Sequence, residues 1–461
     1  MVSSLNSALS GLRAYQQQLA VISNNITNAT TENYTRKTAS LTSAVVDGRG
    51  VGVNVEAVSR QVDAALQANW YSQITAVSNL DTKLSYIERI ERSLGSPEEN
   101  TSLSAELSQL HDLFVSLADS PEDTAIQNTL INQAETFAGE VNDYAELLNT
   151  LRNDAQDEIE LAVTHINSLL EQVATLNQEV QSNSAAGKST AALLDQRDGI
   201  VRELAGYIEI NSFTRGDGVL VLQTTEGTQL ADERALEVSF NPTQIGPEDF
   251  YTSDESGSIN GVYVGGNPSI NPGAVDITEE DLGGELGALI ELRDEILPEQ
   301  QAMLDELSFQ IAYRFDAQGL RLFTDLEGGI PAITAPDPDT GTPVDYVGFS
   351  SEFQINQDIL DNSSLIQQGT SDADDPVAAG SNEVIRRVIE FTFGDVQYQE
   401  IQGTTALRTT DTDGGTAVDN LQELLGLYSQ NQITGTADLS DASFADITAI
   451  YDTGLITAPL D

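Results

Sequence analysis

The sequence predicts a mainly α protein with β insertions, a long-helix bundle that carries small outward-facing β or mixed domains. Three observations carry that prediction. Apolar residues alternate steps of three and four over the first 26 residues and again between about 60 and 182, the period of helices that pack on helices. From Pro121 to Ser182 there is no further proline and one glycine, Gly139, so one helix of about 60 residues, roughly 90 Å long, is allowed. Beyond it the pattern changes to short β-like runs separated by Gly, Asp and Asn.

Taken in order, Leu5, Ala8, Leu12, Tyr15, Leu19, Ile22 and Ile26 form the first seam. A helix with such a stripe needs a partner. The Asn-rich run from Ser23 to Asn33 ends it, and Tyr34-Thr35-Arg36-Lys37 follows. Tyr34 to Val46 and Val51 to Val55 alternate across Asp47-Gly48-Arg49-Gly50, which reads as a hairpin. Helix resumes near Arg60, where Leu80, Leu84, Ile87 and Leu94 hold one face until Gly95-Ser96-Pro97. Leu103, Leu107, Leu110, Phe114 and Leu117 repeat it.

Ser120-Pro121 has the form of a cap and first position for the long helix, with Glu122 and Asp123 facing its positive end. Ile159, Val163, Ile166, Leu170, Val173 and Val180 continue a seam that Ser184-Ala185-Ala186-Gly187 ends. Gly218 to Leu222, Leu236 to Phe240 and Val262 to Val264 read as strands. Leu286, Leu289, Ile296, Leu304, Ile311 and Phe315 restore a helix that stops at Gly319. The remainder, rich in Pro, Asp, Gly and Thr, shows a strand-like Ile389 to Val396 and helical pieces at Leu421 to Tyr428 and Phe444 to Tyr451. The expected domains are 1–59, N-terminal helix and hairpin; 60–210, long-helix bundle; 211–284, β region; 285–319, returning helix; and 320–461, a mixed outer region with short helices.

Composition narrows the function classes. The 461 residues allow two to four domains. With 73 acidic against 20 basic residues, the net charge of -53 argues against nucleic acid and anionic membrane surfaces, whose affinity comes from Lys and Arg. Aromatic residues are only 6%, which suits packing by Leu, Ile, Val and Ala better than an aromatic-lined pocket. No cysteine is present, so disulfides, thiolate metal sites and Cys nucleophiles are excluded. There is neither a basic start followed by an apolar core nor an apolar run of membrane-spanning length.

No catalytic residue, cofactor or metal ligand is nominated. His111 and His165 lie in helical heptads without a triad or HExxH pattern. Gly187-Lys188-Ser189 mimics the end of a phosphate-binding loop, but Ser182 stands where its first glycine belongs. Thr409 to Gly414 resembles part of a calcium loop, yet Thr409 and Asn420 occupy the positions of its first ligand and its glutamate. The acidic clusters at Asp337-Pro338-Asp339 and Asp372 to Asp375 read as solvated turns.

Ser3-Ser4-Leu5, Ala8, Ser10-Gly11-Leu12 and Ala14, followed by Ser23, Asn24, Asn25, Asn28 and Tyr34, resemble the N-terminal signature of the flagellar rod, hook and hook-associated axial proteins. Leu194-Asp195-Gln196-Arg197-Asp198 and the stretch from Leu286 to Gly319 are similar to the hook-associated members. The resemblance implies a non-enzymatic subunit of the bacterial flagellum, with an axial or rod domain, that joins hook to filament by helical-seam packing between subunits. Leu5, Leu12, Tyr15, Leu19, Ile22 and Ile26 would then be the assembly interface, and the long helices would also bury their seams against neighbouring subunits. Implied partners are neighbouring copies in a ring, the hook protein, the next hook-associated protein and a flagellar export chaperone. The implied location is extracellular, at the hook-filament junction, reached by type III export without a cleaved signal peptide. The family's closing heptad helix has no counterpart near Ala458-Pro459-Leu460-Asp461, so the first stripe is expected to lack its intramolecular mate. Other classes consistent with the residues are a hook or distal rod subunit, an acidic adhesin or calcium-binding module, and an acidic secreted hydrolase.

Overall fold

In the computed structural model the described residues are 2–46, 49–55, 58–93, 102–251, 257–331, 346–370, 377–378 and 380–393. They form two compact units, the first built from 1–83, 157–242 and 260–289, the second from 84–156, 243–259 and 290 onward.

The first unit opens with α1 (Val2–Thr27). The alternating stretch after it divides into β1 (Lys37–Thr38) and β2 (Leu41–Val46), followed by β3 (Arg49–Val55) and β4 (Ser59–Arg60). β2 and β3 make the expected antiparallel hairpin, with Val46 opposite Arg49 and a bulge after Ala44, while β1 pairs with β4. α2 (Ala64–Ser93) follows, then α3 (Leu103–Asp119) and the 62-residue α4 (Thr124–Ala185). In the first unit Ile159, Val163, Ile166, Leu170, Val173 and Val180 of α4 are all buried. The same unit holds α5 (Ala191–Tyr207), the sheet of β5 (Asn211–Thr214), β6 (Leu220–Gln223) and β7 (Gln229–Ala231), and that of β8 (Val238–Ser239), β9 (Tyr263–Val264) and β10 (Val275–Asp276).

Two asparagines of α4 fasten these sheets. Asn167 donates to Val238 O at 2.7 Å and accepts from Val238 N at 2.8 Å. Asn177 does the same for Leu220, at 2.8 and 3.0 Å. A primary amide side chain offers the same donor and acceptor as a strand neighbour, so each Asn satisfies backbone groups that burial would otherwise leave unpaired. The α4 seam is therefore covered within the chain, which corrects the expectation that it meets neighbouring subunits.

In the second unit Leu103, Leu107, Leu110, Phe114 and Leu117 of α3 are buried. The long helix starts three residues later than its signal suggested. Ser120 closes α3 by donating its N–H to Leu117 O, and Asp123 caps α4, accepting from Ala125 N and Ile126 N. Pro121 lies in the turn between them, where its missing N–H costs nothing. Asn153 repeats the amide pairing on Ile245, at 3.0 and 2.9 Å.

The returning helix runs as α6 (Gly284–Glu291), divided at its end between the units, a π-turn (Leu292–Ile296) and α7 (Leu297–Ala317). Pro298 cannot donate to the ladder, and the wider turn before it accommodates that gap. The short β11 (Phe323–Thr324) and β12 (Gln354–Ile355) pair beside α8 (Phe349–Glu352) and the later helical turns, α9 (Gln357–Asp361), α10 (Leu365–Gln368) and α11 (Glu383–Arg387). Phenylalanines cluster here: Phe114 to Phe315 at 5.6 Å, Phe315 to Phe323 at 5.6 Å and Phe323 to Phe353 at 4.6 Å, arrangements favoured by ring quadrupoles. The strand-like reading of Ile389 to Val396 is corrected over its described part, since Val388–Thr392 continue α11 as a π-turn. Its remainder, the break at Gly95-Ser96-Pro97, the clusters at Asp337 and Asp372, the calcium-like loop and the two late helical pieces lie outside the described residues.

Candidate assembly surface

α1 carries two stripes of different chemistry. Ser7, Gly11, Ala14, Gln18, Val21 and Asn25, at steps of four and three, are half-buried or buried. This narrow face packs against the hairpin: Ser10 Oγ accepts from Val53 N at 3.1 Å, and Gln18 donates to Ala39 O at 3.2 Å. The approach is close enough that a Cβ on Gly52, whose φ is +151°, would overlap Ser10 Oγ. The larger apolar stripe is left over. Leu5, Leu12, Tyr15, Leu19, Ile22 and Ile26 are all exposed, from 52% at Ile22 to 72% at Ile26.

At the end of α1, Asn25 folds the following segment back. Its side chain donates to Lys37 O at 2.8 Å and accepts from Lys37 N at 3.0 Å and Tyr34 OH at 2.9 Å. Asn28 donates to Asn24 O at 2.9 Å, Thr27 donates to Ser23 O at 2.8 Å, and Thr31 donates to Asn28 Oδ1. The signature residues thus terminate the helix by local side-chain hydrogen bonds, the habit that makes Asn and Thr poor in helix interiors.

The segment Leu194–Asp198 meets the chain that follows α1. Asp195 is buried and forms ion pairs with Lys37 at 2.8 Å and Arg60 at 3.3 Å, and it accepts from Thr35 Oγ1 and, at 3.4 Å, Thr35 N. Asp198 takes the other side of Arg60 at 2.6 Å. Tyr71 OH donates to Asp198 O at 3.1 Å, and burial, with Asp198 nearby, pushes that phenol up to about 12. Arg197 turns the opposite way, donating to Asn177 Oδ1 at 2.8 Å and Gly218 O at 3.0 Å. Burial holds its guanidinium below its ordinary value, partly offset by Asp198. Leu194 is half-buried and Gln196 exposed, facing an open groove of about 550 Å³ that Thr31, Tyr34 and Arg202 also line. Within these five residues, Asp195 and Asp198 therefore hold the N-terminal segment while Arg197 reaches α4 and the turn before β6.

Several participants were given no role of their own by the sequence: Lys37, Arg60, Gly52 and Gly199, while Ser10 stood only as one member of the N-terminal signature. Lys37 and Arg60 are conspicuous only as cations in an acidic chain. Gly199 leaves room for Asn33, which adopts φ +62°, and a Cβ there would lie 2.8 Å from Asn33 Nδ2. His111 packs edge-on to Phe393 at 5.1 Å and His165 stacks on Tyr207 at 5.7 Å, placing both against aromatic rings. Among the described residues no group of three or more His, Cys, Asp or Glu is disposed to hold a metal ion, and no helix is long and apolar enough to cross a membrane.

The chain is similar to known flagellar proteins. The model of the flagellar hook-associated protein FlgK helical domain matches residues 87–329, and that of the flagella basal body rod proteins matches residues 5–35. Flagellar hook-associated protein 1 of Salmonella typhimurium is 26% identical over 98% of this chain and 81% of its own length. Its namesake from Escherichia coli K12 is 28% identical over 69% of this chain and 57% of that protein. The solved structure of the flagellar hook junction protein FlgK from Burkholderia pseudomallei aligns with 58% of this chain and 47% of its own, at 22% identity and a TM-score of 0.46.

Proposed function

Since the chain belongs to the family of the flagellar hook-associated protein FlgK helical domain, whose model covers residues 87–329 of its 461, we propose that it is a structural subunit of the bacterial flagellum joining hook to filament. The observation that carries the mechanism is the contrast between seams. Those of α3 and of α4 are buried within the chain, whereas Leu5, Leu12, Tyr15, Leu19, Ile22 and Ile26 of α1 stand exposed. Exposed apolar side chains in register along a helix are a standing driving force for association, because withdrawing them from water is favourable and the heptad period suits a facing helix.

In this reading α1 is the adhesive element and the polar junction is its mount. Asn25 fixes the end of the helix, and Asp195 and Asp198 hold the segment behind it through Lys37 and Arg60. The stripe is then presented in a set direction by each copy. Neighbouring copies in a ring, the hook protein and the next hook-associated protein are the proposed partners, with a flagellar export chaperone before assembly and no enzymatic activity. The proposed location is the hook-filament junction outside the cell.

The test is genetic and visual. A strain lacking the chain should build hooks without filaments and release filament subunits to the medium, and an epitope-tagged copy should restore filaments and label the junction. Normal filaments in the deletion strain would overturn the proposal.

A further inference from the structure

The returning helix contains a break in its hydrogen-bond ladder that is repaired from another helix. In the π-turn Leu297 N–H donates to Leu292 O, five residues back. The next carbonyl in that pattern, Arg293 O, calls for the N–H of residue 298. That residue is Pro298, which has none, and Leu297, the donor an α pattern would use, is already committed. A buried carbonyl without a donor is costly. Arg152 of α4 supplies the missing donor, its Nε meeting Arg293 O at 3.2 Å.

The same guanidinium holds a third stretch of chain. Nη1 donates to Gly246 O at 3.1 Å and Nη2 to Asp249 O at 2.7 Å, so each of its three nitrogens is spent on a backbone oxygen. Beside it Asn153 pairs with Ile245, and Asp249 folds the stretch by accepting from Gly246 N at 2.6 Å. We propose that Arg152 is the positioning residue that locks the register of the returning helix, taking the hydrogen bond Pro298 cannot make and tying the π-turn to the 245–249 crossing.

The lock is needed because a π-turn has an alternative. Handing Leu297 N–H from Leu292 O to Arg293 O would restore an α path and pair the orphaned carbonyl, but it would turn every later residue by about 100°. α7 cannot absorb that rotation. It is buried almost all round from Leu297 to Phe315, and Asp305 holds Gly348 N at 2.8 Å and Ser350 N at 3.0 Å, contacts that close packing fixes in one arrangement. With Arg152 in place Arg293 O is satisfied in the π register, and reversion gains nothing. Only a planar fork reaches three oxygens at once. Its charge is balanced locally: burial brings the guanidinium down to about 10 and Arg293 adds to that, whereas Asp294 and Asp249 oppose it.

Hydrogen exchange of the full-length chain by mass spectrometry, read over 292–301 and over 243–249, tests the lock. Arg152→Met should speed exchange over both stretches about tenfold or more, the worth of a charge-assisted hydrogen bond. Asn153→Ala, which removes the neighbouring tie to Ile245, should speed 243–249 alone. Adding Pro298→Ala to R152M returns an N–H where the π pattern directs one at Arg293 O, and should slow 292–301 about tenfold while leaving 243–249 as fast as in R152M. Unchanged protection over 292–301 in R152M, equal exchange there in R152M and R152M/P298A, or equal recovery of both stretches would overturn the proposal. Should R152M fail to fold by its urea transition, Arg152→Lys, which keeps the charge but not the fork, takes its place in the same comparison.

Discussion

Replacing Asp195 with asparagine isolates one charge at the junction between α5 and the segment that follows α1. The volume is unchanged, and the amide still accepts from Thr35 N, so what is lost is the negative charge facing Lys37 at 2.8 Å and Arg60 at 3.3 Å. Breaking a fully buried pair costs about 3–5 kcal/mol, and a hydrogen bond to a charged group contributes about 1.5–3 kcal/mol. The lower range applies here. Both cationic side chains retain 14% exposure, Arg60 keeps Asp198 at 2.6 Å, and Lys37 keeps the face of Tyr34 at 3.9 Å. The expected destabilisation is therefore about 2 kcal/mol. The chain's single tryptophan, Trp70, lies in the same unit, one residue before Tyr71, so its fluorescence during urea unfolding at fixed ionic strength reports on this unit. A double-mutant cycle with Lys37→Met should give a coupling of about 1 kcal/mol. A loss below about 0.5 kcal/mol, typical of surface substitutions, or strict additivity of the two changes would refute the assignment of Asp195 as the anchor of the N-terminal segment.

The double substitution L12D/L19D alters side chains exposed by 57 and 65%, so monomer stability should change by less than about 1 kcal/mol, while electron microscopy should show hooks without filaments. Gly52→Ala drives a methyl group into Ser10 Oγ and should destabilise the hairpin on α1 by about 1–3 kcal/mol, read as faster hydrogen exchange in β3. Glu299, pushed up to about 7 by burial and by Glu295 and Glu291, binds its proton more tightly folded than unfolded, so it lowers stability as pH rises from about 4.5 through 7. Glu299→Gln should remove that slope, and the variant's gain over the parent should grow between pH 5 and 8 to about 1 kcal/mol, allowing for partial exposure. Equal denaturation midpoint differences at both pH values would refute it.

The elements that were legible share one property: their cause is local. The period of α3 and α4, the stop at Gly187 with φ +67°, the hairpin and the strands around Leu220 and Tyr263 follow from neighbours within a few residues. The start of α4 was misplaced because Ser120 and Asp123 both have capping chemistry, and only the competing end of α3 decides between them. Ile389 carries strand propensity, yet α11 runs straight into it, and tertiary context overrides so weak a preference.

The sequence by itself determined that α1 has an apolar stripe of helical period, that the chain carries a net charge of -53, and that its fold is mainly α with β insertions. Which face of which helix remains free was decided only by the tertiary structure. Periodicity states that a face is apolar, not what covers it, and α4 is covered by sheets docked through Asn167 and Asn177 while the α1 stripe is left in water. The junction was hidden for the same reason. Thr35 and Asp195 stand 160 residues apart, and no local pattern records a charge pair that exists only once the intervening chain has folded back on itself.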